Sequence, residues 1–321
     1  MSTEGPASTP TPAEVRPRRR NRRLRILIVV AAVSGALYGF AQMDRGTAEA
    51  LGPVGEAVYD ILKPSFRAKP SVSAEGQQFL ADMKALGGMG DVWIVKPGWL
   101  GSLGREERYR VRFQGRVIGD QALARIAERH GSRIGSLYLQ LTSVTDAGLA
   151  HLKTMRTLQT LDLRAFQGRR DPQGPPPGPG ITDAGLVHLE GLDRLGTLFL
   201  DDLPITDRGL ASLQNLPNLQ GLYLSGTNVR GPGLATLKSL PRLAILYLDH
   251  TELTDDGLKA LSGATNLHFL SLKGVHLTET AIPLLKAIPA LEQLDITGCG
   301  FLDEEVADLV KARPKLKVIR K

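Results

Sequence analysis

Val144 to Leu152 read VTDAGLAHL, and thirty-seven residues later Ile181 to Leu189 read ITDAGLVHL. A catalytic signature normally occurs once per active site, because its chemistry needs one nucleophile or one base in one cleft. Near-copies at a fixed spacing instead mark a structural unit. Outward from these two stretches, segments beginning LQTLDL at Leu158, LGTLFL at Leu195, LQGLYL at Leu219, LAILYL at Leu243, LHFLSL at Leu267 and LEQLDI at Leu291 fall into line. From Leu195 onward the interval is 24 residues each time, and from Leu158 to Leu195 it is 37, one repeat plus an insertion of 13. IGSLYL at Ile134 lies 24 residues before Leu158, and LKVI at Leu316 lies 25 after Leu291. Upstream, YRVRFQGRVIGDQALARIA at Tyr109 to Ala127 is a degenerate copy placed to cap the array.

Each unit reads LxxLxLxxxx(I/V)TDxGLxxLxxLxx. The alternating Leu-x-Leu predicts a short strand with one face buried. Threonine then takes the N-cap of a helix, with aspartate in the first turn, where a carboxylate meets the positive helix end. Leucines at 210, 213 and 216, or at 234, 237 and 240, place one stripe of that short helix on the same core, and Pro217, Pro241, Pro289 and Pro314 stop it. One unit cannot bury its apolar face alone. Stacked units can, with parallel strands about 4.8 Å apart, giving a curved α/β solenoid with strands on the concave face and short helices on the convex face.

This pattern resembles the leucine-rich-repeat family. Its TDxGLxxL core resembles the cysteine-containing type found in F-box-like proteins and in bacterial membrane-anchored repeat proteins. The resemblance covers Ile134 to the C-terminus well and Tyr109–Ala127 weakly, and it speaks for fold rather than function. Cys299 alone occupies the turn place where that subtype often has cysteine; Thr142, Phe166, Leu203, Thr227, Thr251 and Val275 stand there in the other coils. No F-box precedes the repeats, so an adaptor role in ubiquitin transfer is not supported.

The 321 residues are 42% apolar with only 5% aromatics, which suits many small, similar packing sites rather than one irregular pocket. The net charge of +7 is concentrated at one end: residues 1–25 hold seven arginines against two glutamates, +5, leaving +2 for everything after them. A nucleic-acid surface is therefore not implied by charge. One cysteine excludes an intrachain disulfide framework and a cysteine-based zinc cluster. Residues 1–25 read as a disordered basic cytoplasmic tail. Ile26 to Met43, ILIVVAAVSGALYGFAQM, is eighteen residues without a formal charge. As a helix it is roughly 27 Å long, enough to act as a transmembrane anchor. Arginines before it and Tyr38 and Phe40 near its far end place the N-terminus in the cytoplasm. A signal peptide cleaved near Ala48-Glu49-Ala50, giving a secreted protein, is the other reading. Residues 44–72 read as a stalk, 73–133 as an N-terminal capping region, and 134–321 as the repeat domain with its insertion near 168–180. Apolar residues at 79, 80, 83 and 86 predict a short helix that ends at Gly87 or Gly88.

The candidate chemistry is sparse. His151 and His188 recur at one helix position but no carboxylate or cysteine recurs beside them, and the GPPPGPG of the insertion lacks the Gly-Lys-Ser/Thr of a phosphate loop. No metal, cofactor or catalytic residue is expected. Residues two, four and six places after the first leucine of each unit face away from the core and form columns. The central column is Tyr138, Asp162, Phe199, Tyr223, Tyr247, Ser271 and Asp295. Phe269 stands in the neighbouring column, and Asp201, Asp249 and Lys273 supply a polar edge. Aromatics concentrate binding energy, so Tyr138, Phe199, Tyr223, Tyr247 and Phe269 with Asp201, Asp249 and Lys273 are the expected contact surface for a protein or peptide. Replacing Tyr223 and Tyr247 is expected to leave the fold little changed. Ring stacking for stability alone is the alternative. The function read from the sequence is a membrane-anchored binding protein. A structural envelope protein acting by self-association is the alternative, and a hydrolytic enzyme is the least supported.

Protease added to intact cells or spheroplasts is expected to degrade the repeats and spare the tail. Protected repeats would overturn the topology.

Overall fold

Strands form where Leu-x-Leu alternates, because the leucines on one side of the pleat have a core to enter and the residues between them do not. The computed structural model describes residues 72–95, 106–113, 118–140, 142–165 and 180–320. In it ten strands form one sheet in chain order. They are β1 (Gly88–Val95), β2 (Glu106–Phe113), β3 (Ile134–Tyr138), β4 (Thr160–Asp162), β5 (Thr197–Phe199), β6 (Gly221–Tyr223), β7 (Ile245–Tyr247), β8 (Phe269–Ser271), β9 (Gln293–Asp295) and β10 (Lys317–Ile319). From β2 onward each strand pairs parallel with the next. Parallel neighbours need a crossover connection. Here the crossovers carry α2 (Asp120–His130), α3 (Asp146–Leu149), α4 (Asp183–Leu186), α5 (Asp207–Leu210), a 3₁₀ helix at Pro232–Ser239, α6 (Asp255–Lys259), α7 (Ala281–Lys286) and α8 (Asp303–Ala312). Strand leucines 195, 198, 200, 219, 222 and 224 and helix leucines 210, 213 and 216 are fully buried in one continuous core. The chain is thus a leucine-rich α/β solenoid within the unit that begins at Pro70.

The sheet is not wholly parallel as expected. β1 runs antiparallel to β2, from Gly88 opposite Phe113 to Val95 opposite Glu106. The first coil has no coil before it, so β2 would otherwise present an unpaired edge, and the hairpin covers it. The exposed core end is closed by α1 (Ala74–Ala85), the helix predicted from its apolar spacing. Ser73 caps α1 by accepting from the Gly76 N–H at 3.1 Å, and Gly87 ends the turn at φ 71°. Phe79 of α1 stacks on Tyr109 at 4.2 Å and meets His130 edge-on, while Asp82 pairs with His130 at 2.9 Å and Arg129 at 3.3 Å.

The TDxGL motif does more than start a helix. Thr182, Thr206 and Thr254 do accept N–H bonds as N-caps, but Thr145 does not. The aspartates, expected to serve their own helix starts, reach to the next coil. Asp120 accepts from the N–H and hydroxyl of Thr145 at 2.8 and 2.6 Å, Asp146 from Thr182 at 2.8 and 2.7 Å, and Asp183 from Thr206 at 2.9 and 2.6 Å. Where the next coil reads VRGPGL, Asp207 instead takes the N–H groups of Arg230, Gly231 and Gly233. The glycine of the motif makes room for this carboxylate: a Cβ on Gly148, Gly185 or Gly209 would stand 2.1 to 2.3 Å from the aspartate oxygen of the preceding coil.

The turn place is filled by whatever satisfies it. Thr142, Thr227 and Thr251 are buried and donate their hydroxyls to the carbonyl three residues back, at 2.8, 2.6 and 2.7 Å. Buried Cys299 donates its thiol to the Leu272 carbonyl at 3.0 Å. Residues 1–71, with the tail, the anchor at 26–43 and the stalk, lie outside the described residues, as does the insertion up to 179. No helix among the described residues is long and apolar enough to cross a membrane. The coil resumes at Gly180, whose N–H donates to the Val144 carbonyl at 2.8 Å.

Asp183→Ala removes two hydrogen bonds to a charged acceptor and is expected to cost about 2–3 kcal/mol. Gly209→Ala should also destabilise, but much less in the Asp183→Ala background, where the opposing oxygen is gone. A double-mutant cycle from urea unfolding checks this; additive costs would show that the glycine is not there for the carboxylate.

Candidate functional site

Parallel pairing brings like positions of successive coils side by side. Tyr138 pairs with Asp162, Asp162 with Phe199, Phe199 with Tyr223, Tyr223 with Tyr247, Tyr247 with Ser271, and Ser271 with Asp295. Inside this column the rings form a ladder. Phe199 stacks on Tyr223 at 4.3 Å, Tyr223 on Tyr247 at 4.7 Å, and Phe269 tilts against Tyr247 at 4.9 Å. Phe269 belongs to the neighbouring column, opposite Ile245. It reaches Tyr247 because Ser271, the next residue of the central column, is small.

The ladder corrects one expectation. Phe199 is 8% exposed, Tyr223 7% and Phe269 8%, so these rings bury one another, and only Tyr247 keeps a partly exposed surface. Replacing Tyr223 and Tyr247 together would therefore damage packing as well as any contact surface, since truncating a buried ring costs about 3–5 kcal/mol. Tyr138 stands apart from the ladder, separated by Asp162, and lies 5.2 Å from the Arg112 guanidinium.

Asp162, named in the central column but not in the expected contact surface, is joined by a residue the sequence reading missed, Arg164. Asp162 is fully buried, and Arg164 grips it with Nε to Oδ1 at 3.0 Å and Nη2 to Oδ2 at 2.7 Å. The same guanidinium lies 4.7 Å over the Phe199 ring and 3.9 Å from Asp201. Burial alone would lower the Arg164 pKa, but the bonds and charge of Asp162, with Asp201, raise it. Its signal in the sequence was position: Arg164 fills the place in its coil that Asp201, Asp249 and Lys273 fill in theirs.

The polar edge is partly buried. Asp201, with its side chain 13% exposed, accepts the Ser225 N–H at 3.0 Å. Desolvation pushes its carboxyl up to about 6, against the opposing pull of Arg164 and Ser225. Asp249 accepts the Lys273 N–H at 2.9 Å and the Ser271 hydroxyl, and Lys273 itself is exposed. The Tyr223 hydroxyl is buried without a hydrogen-bond partner. Burial, then Tyr247 and Asp201, push its pKa far up. The Tyr247 phenol is pushed up to about 12 by burial and by Asp249, Asp295 and Asp201. Both tyrosines stay neutral donors at any physiological pH.

Beyond this edge lies a second 24-residue column of left-handed residues: Asp202 at φ 62°, Gly226 at 67°, His250 at 53°, Gly274 at 67° and Gly298 at 73°. A Cβ on Gly226 would stand 2.2 Å from the Asp202 carboxylate, and one on Gly274 would stand 2.4 Å from the His250 ring. From Asp202 to Gly274 side chain and glycine alternate, because two adjacent side chains there would collide. His250 thus lies over the next coil's turn, and on the helix side His151 is exposed and His188 half-buried. Among the described residues no group of three or more His, Cys, Asp or Glu is arranged to hold a metal ion.

No family model matches the chain, and no curated protein matches it. Solved structures do. An internalin of Listeria monocytogenes is 20% identical over 56% of this chain and 51% of that chain, with a TM-score of 0.41. The internalin C2 of the same organism is 20% identical over 65% and 79%, with a TM-score of 0.46. The mouse RP105/MD-1 complex is 20% identical over 62% and 32%, with a TM-score of 0.42. This chain covers about half of the first and about a third of the last. The assignment of the architecture rests on the repeat and strand register of this chain itself.

The native state takes up a proton on Asp201 near pH 6, and the unfolded chain does so near 4. Between those values the native state binds more protons, so this group's contribution to stability falls as pH rises. Asp201→Asn should therefore gain on wild type by on the order of 2–3 kcal/mol between pH 4 and pH 7. Urea unfolding at both pH values measures it; a constant difference would mean that Asp201 titrates as an ordinary carboxylate.

Proposed function

We propose that residues 70–321 are a protein-binding domain that takes its partner on the strand face, held at a membrane by residues 26–43 with the repeats outside the cytoplasm. The observation that supports the binding reading is that face itself. It is an array of columns in fixed register, with partly exposed Tyr247 beside the column that carries Asp249 and exposed Lys273. A rigid aromatic with a polar rim loses little rotamer freedom on contact, which is how binding energy concentrates at few residues. The chemistry present favours binding over catalysis. Burial pushes the Cys299 thiol up to about 11, so it is a poor nucleophile, and the Ser271 hydroxyl is committed to Asp249. The anchor is supported by the apolar run Ile26–Met43 and its arginine flank. Cys299 in the turn and the TDxGLxxL core support the cysteine-containing subtype.

The test is affinity capture with the full-length chain in detergent as bait. Tyr247→Ala combined with Lys273→Glu is expected to lower partner recovery about tenfold or more, and Lys273→Glu alone, at an exposed position, should leave the melting temperature unchanged. Undiminished recovery with the double variant would move the contact off this face.

A further inference from the structure

β1 is the last strand on its side of the sheet, so among the described residues one of its edges has no strand beyond it. Which backbone groups that edge presents follows from the ladder. In the repeats the core leucine bonds forward, the Leu200 N–H to the Tyr223 carbonyl at 2.9 Å and the Leu224 N–H to the Tyr247 carbonyl at 3.0 Å, so the outward residues bond backward. Continued to β2, this alternation turns the backbone of Val111 toward β3 and that of Arg110 and Arg112 toward β1. Their opposites, Asp91 and Met89, take up those bonds. Gly90, Val92 and Ile94 therefore point their N–H and C=O groups away from the sheet.

Edges of this kind are normally blunted by shortness, by lysine or by proline. The opposite edge of the sheet is blunted: β10 has three residues, one of them Lys317, and stands between Lys315 and Arg320. β1 has eight residues, GMGDVWIV, with no lysine or proline and with Asp91 as its one charge. Met89 on this strand is 48% exposed. Such an edge is complementary to itself. With a two-fold axis at Val92, Val92 faces its own copy and Gly90 faces Ile94 of the second copy, so each outward-pointing N–H and C=O from Gly90 to Ile94 finds a partner. The same register sets Asp91 opposite Trp93 of the second copy, and like charges do not stand directly opposite each other. The proposed anchor points to the same occupant. Its sequence places Gly35 and Gly39 four residues apart, a spacing that lets two membrane helices approach closely, and chains held in one membrane meet at a raised effective concentration.

We propose that β1 pairs antiparallel with β1 of a second copy of this chain about a two-fold axis at Val92, joining two solenoids edge to edge in one continuous sheet. Assembly stops at two, because the pair consumes both long edges and leaves only the short, cationic β10 edges. The columns around Tyr247 stay open, so the dimer carries two copies of the proposed binding face and does not rest on that reading.

The test is sedimentation equilibrium of the full-length chain in density-matched detergent, where the expected protein mass is twice 34.7 kDa. Val92→Pro removes the central outward N–H and none that faces β2, a change that edge strands tolerate. It is expected to raise the dimer dissociation constant about tenfold or more with unchanged circular dichroism. A wild-type chain that sediments as a monomer overturns the proposal, as does a folded Val92→Pro variant that dimerises like wild type. Gly35→Leu with Gly39→Leu should leave a dimer; its complete loss there would make the anchor the sole contact and sink the strand pairing. Should Val92→Pro unfold, a nitroxide carried by Asp91→Cys in a Cys299→Thr background decides. In this register the two labelled Cα atoms stand about 8 Å apart, so the spectrum must broaden, whereas a label carried by Lys317→Cys must stay sharp. A sharp spectrum at position 91, or broadening at 317, overturns the pairing.

Discussion

A carboxylate at the start of one helix holds the threonine that opens the next, and the stacking of the coils depends on it. Asp120, Asp146 and Asp183 each take both the N–H and the hydroxyl of a threonine one coil on. The bond from each threonine N–H satisfies a backbone donor at a helix end that has no intrahelical partner. The same contact locks the stagger of neighbouring coils, and the stagger places the strands in register. Glycine follows two residues after the aspartate because the oxygen of the previous coil occupies the space of its Cβ. One motif thus carries capping, spacing and clearance together, which explains why it recurs nearly unchanged in coils whose outward faces differ.

Register then turns a list of outward residues into a surface. Rings that are 24 residues apart in the chain become neighbours at 4.3 and 4.7 Å. Stacking that closes Phe199 and Tyr223 from solvent makes the ladder part of the structure before it is part of a site. What it leaves open is its edge, where Tyr247, Asp249 and Lys273 meet solvent. Arg164 caps the other end and holds a fully buried carboxylate, Asp162, that burial would otherwise disfavour.

The ends of the array follow a different rule from its middle. A repeat in the middle has a neighbour on each side. β2 has none before it, so an antiparallel strand and α1 close it, with Phe79 on Tyr109 and Asp82 on His130. At the far end Arg313 donates to the carbonyls of Lys286, Ile288, Pro289 and Leu291, tying the last helix-bearing connection to the coil before it.

The 24-residue period and the Leu-x-Leu alternation determined by themselves that the chain folds as stacked strand–helix coils, which leucines enter the core and which residues share an outward column. They did so because helical and strand periodicities are local, and a repeat writes its neighbours' contacts into its own spacing. The role of Asp146 or Asp183 was not legible, because a residue in a first turn reads the same whether its carboxylate serves its own helix or the next coil. Nor was the burial of Phe199 and Tyr223, since an outward position is exposed only until the adjacent coil's ring covers it. Arg164 gripping Asp162, and Ser225 set between Asp201 and Asp249, exist only once coils are stacked about 4.8 Å apart. Distances between side chains of different coils depend on register and stagger, and those are decided by the tertiary structure alone.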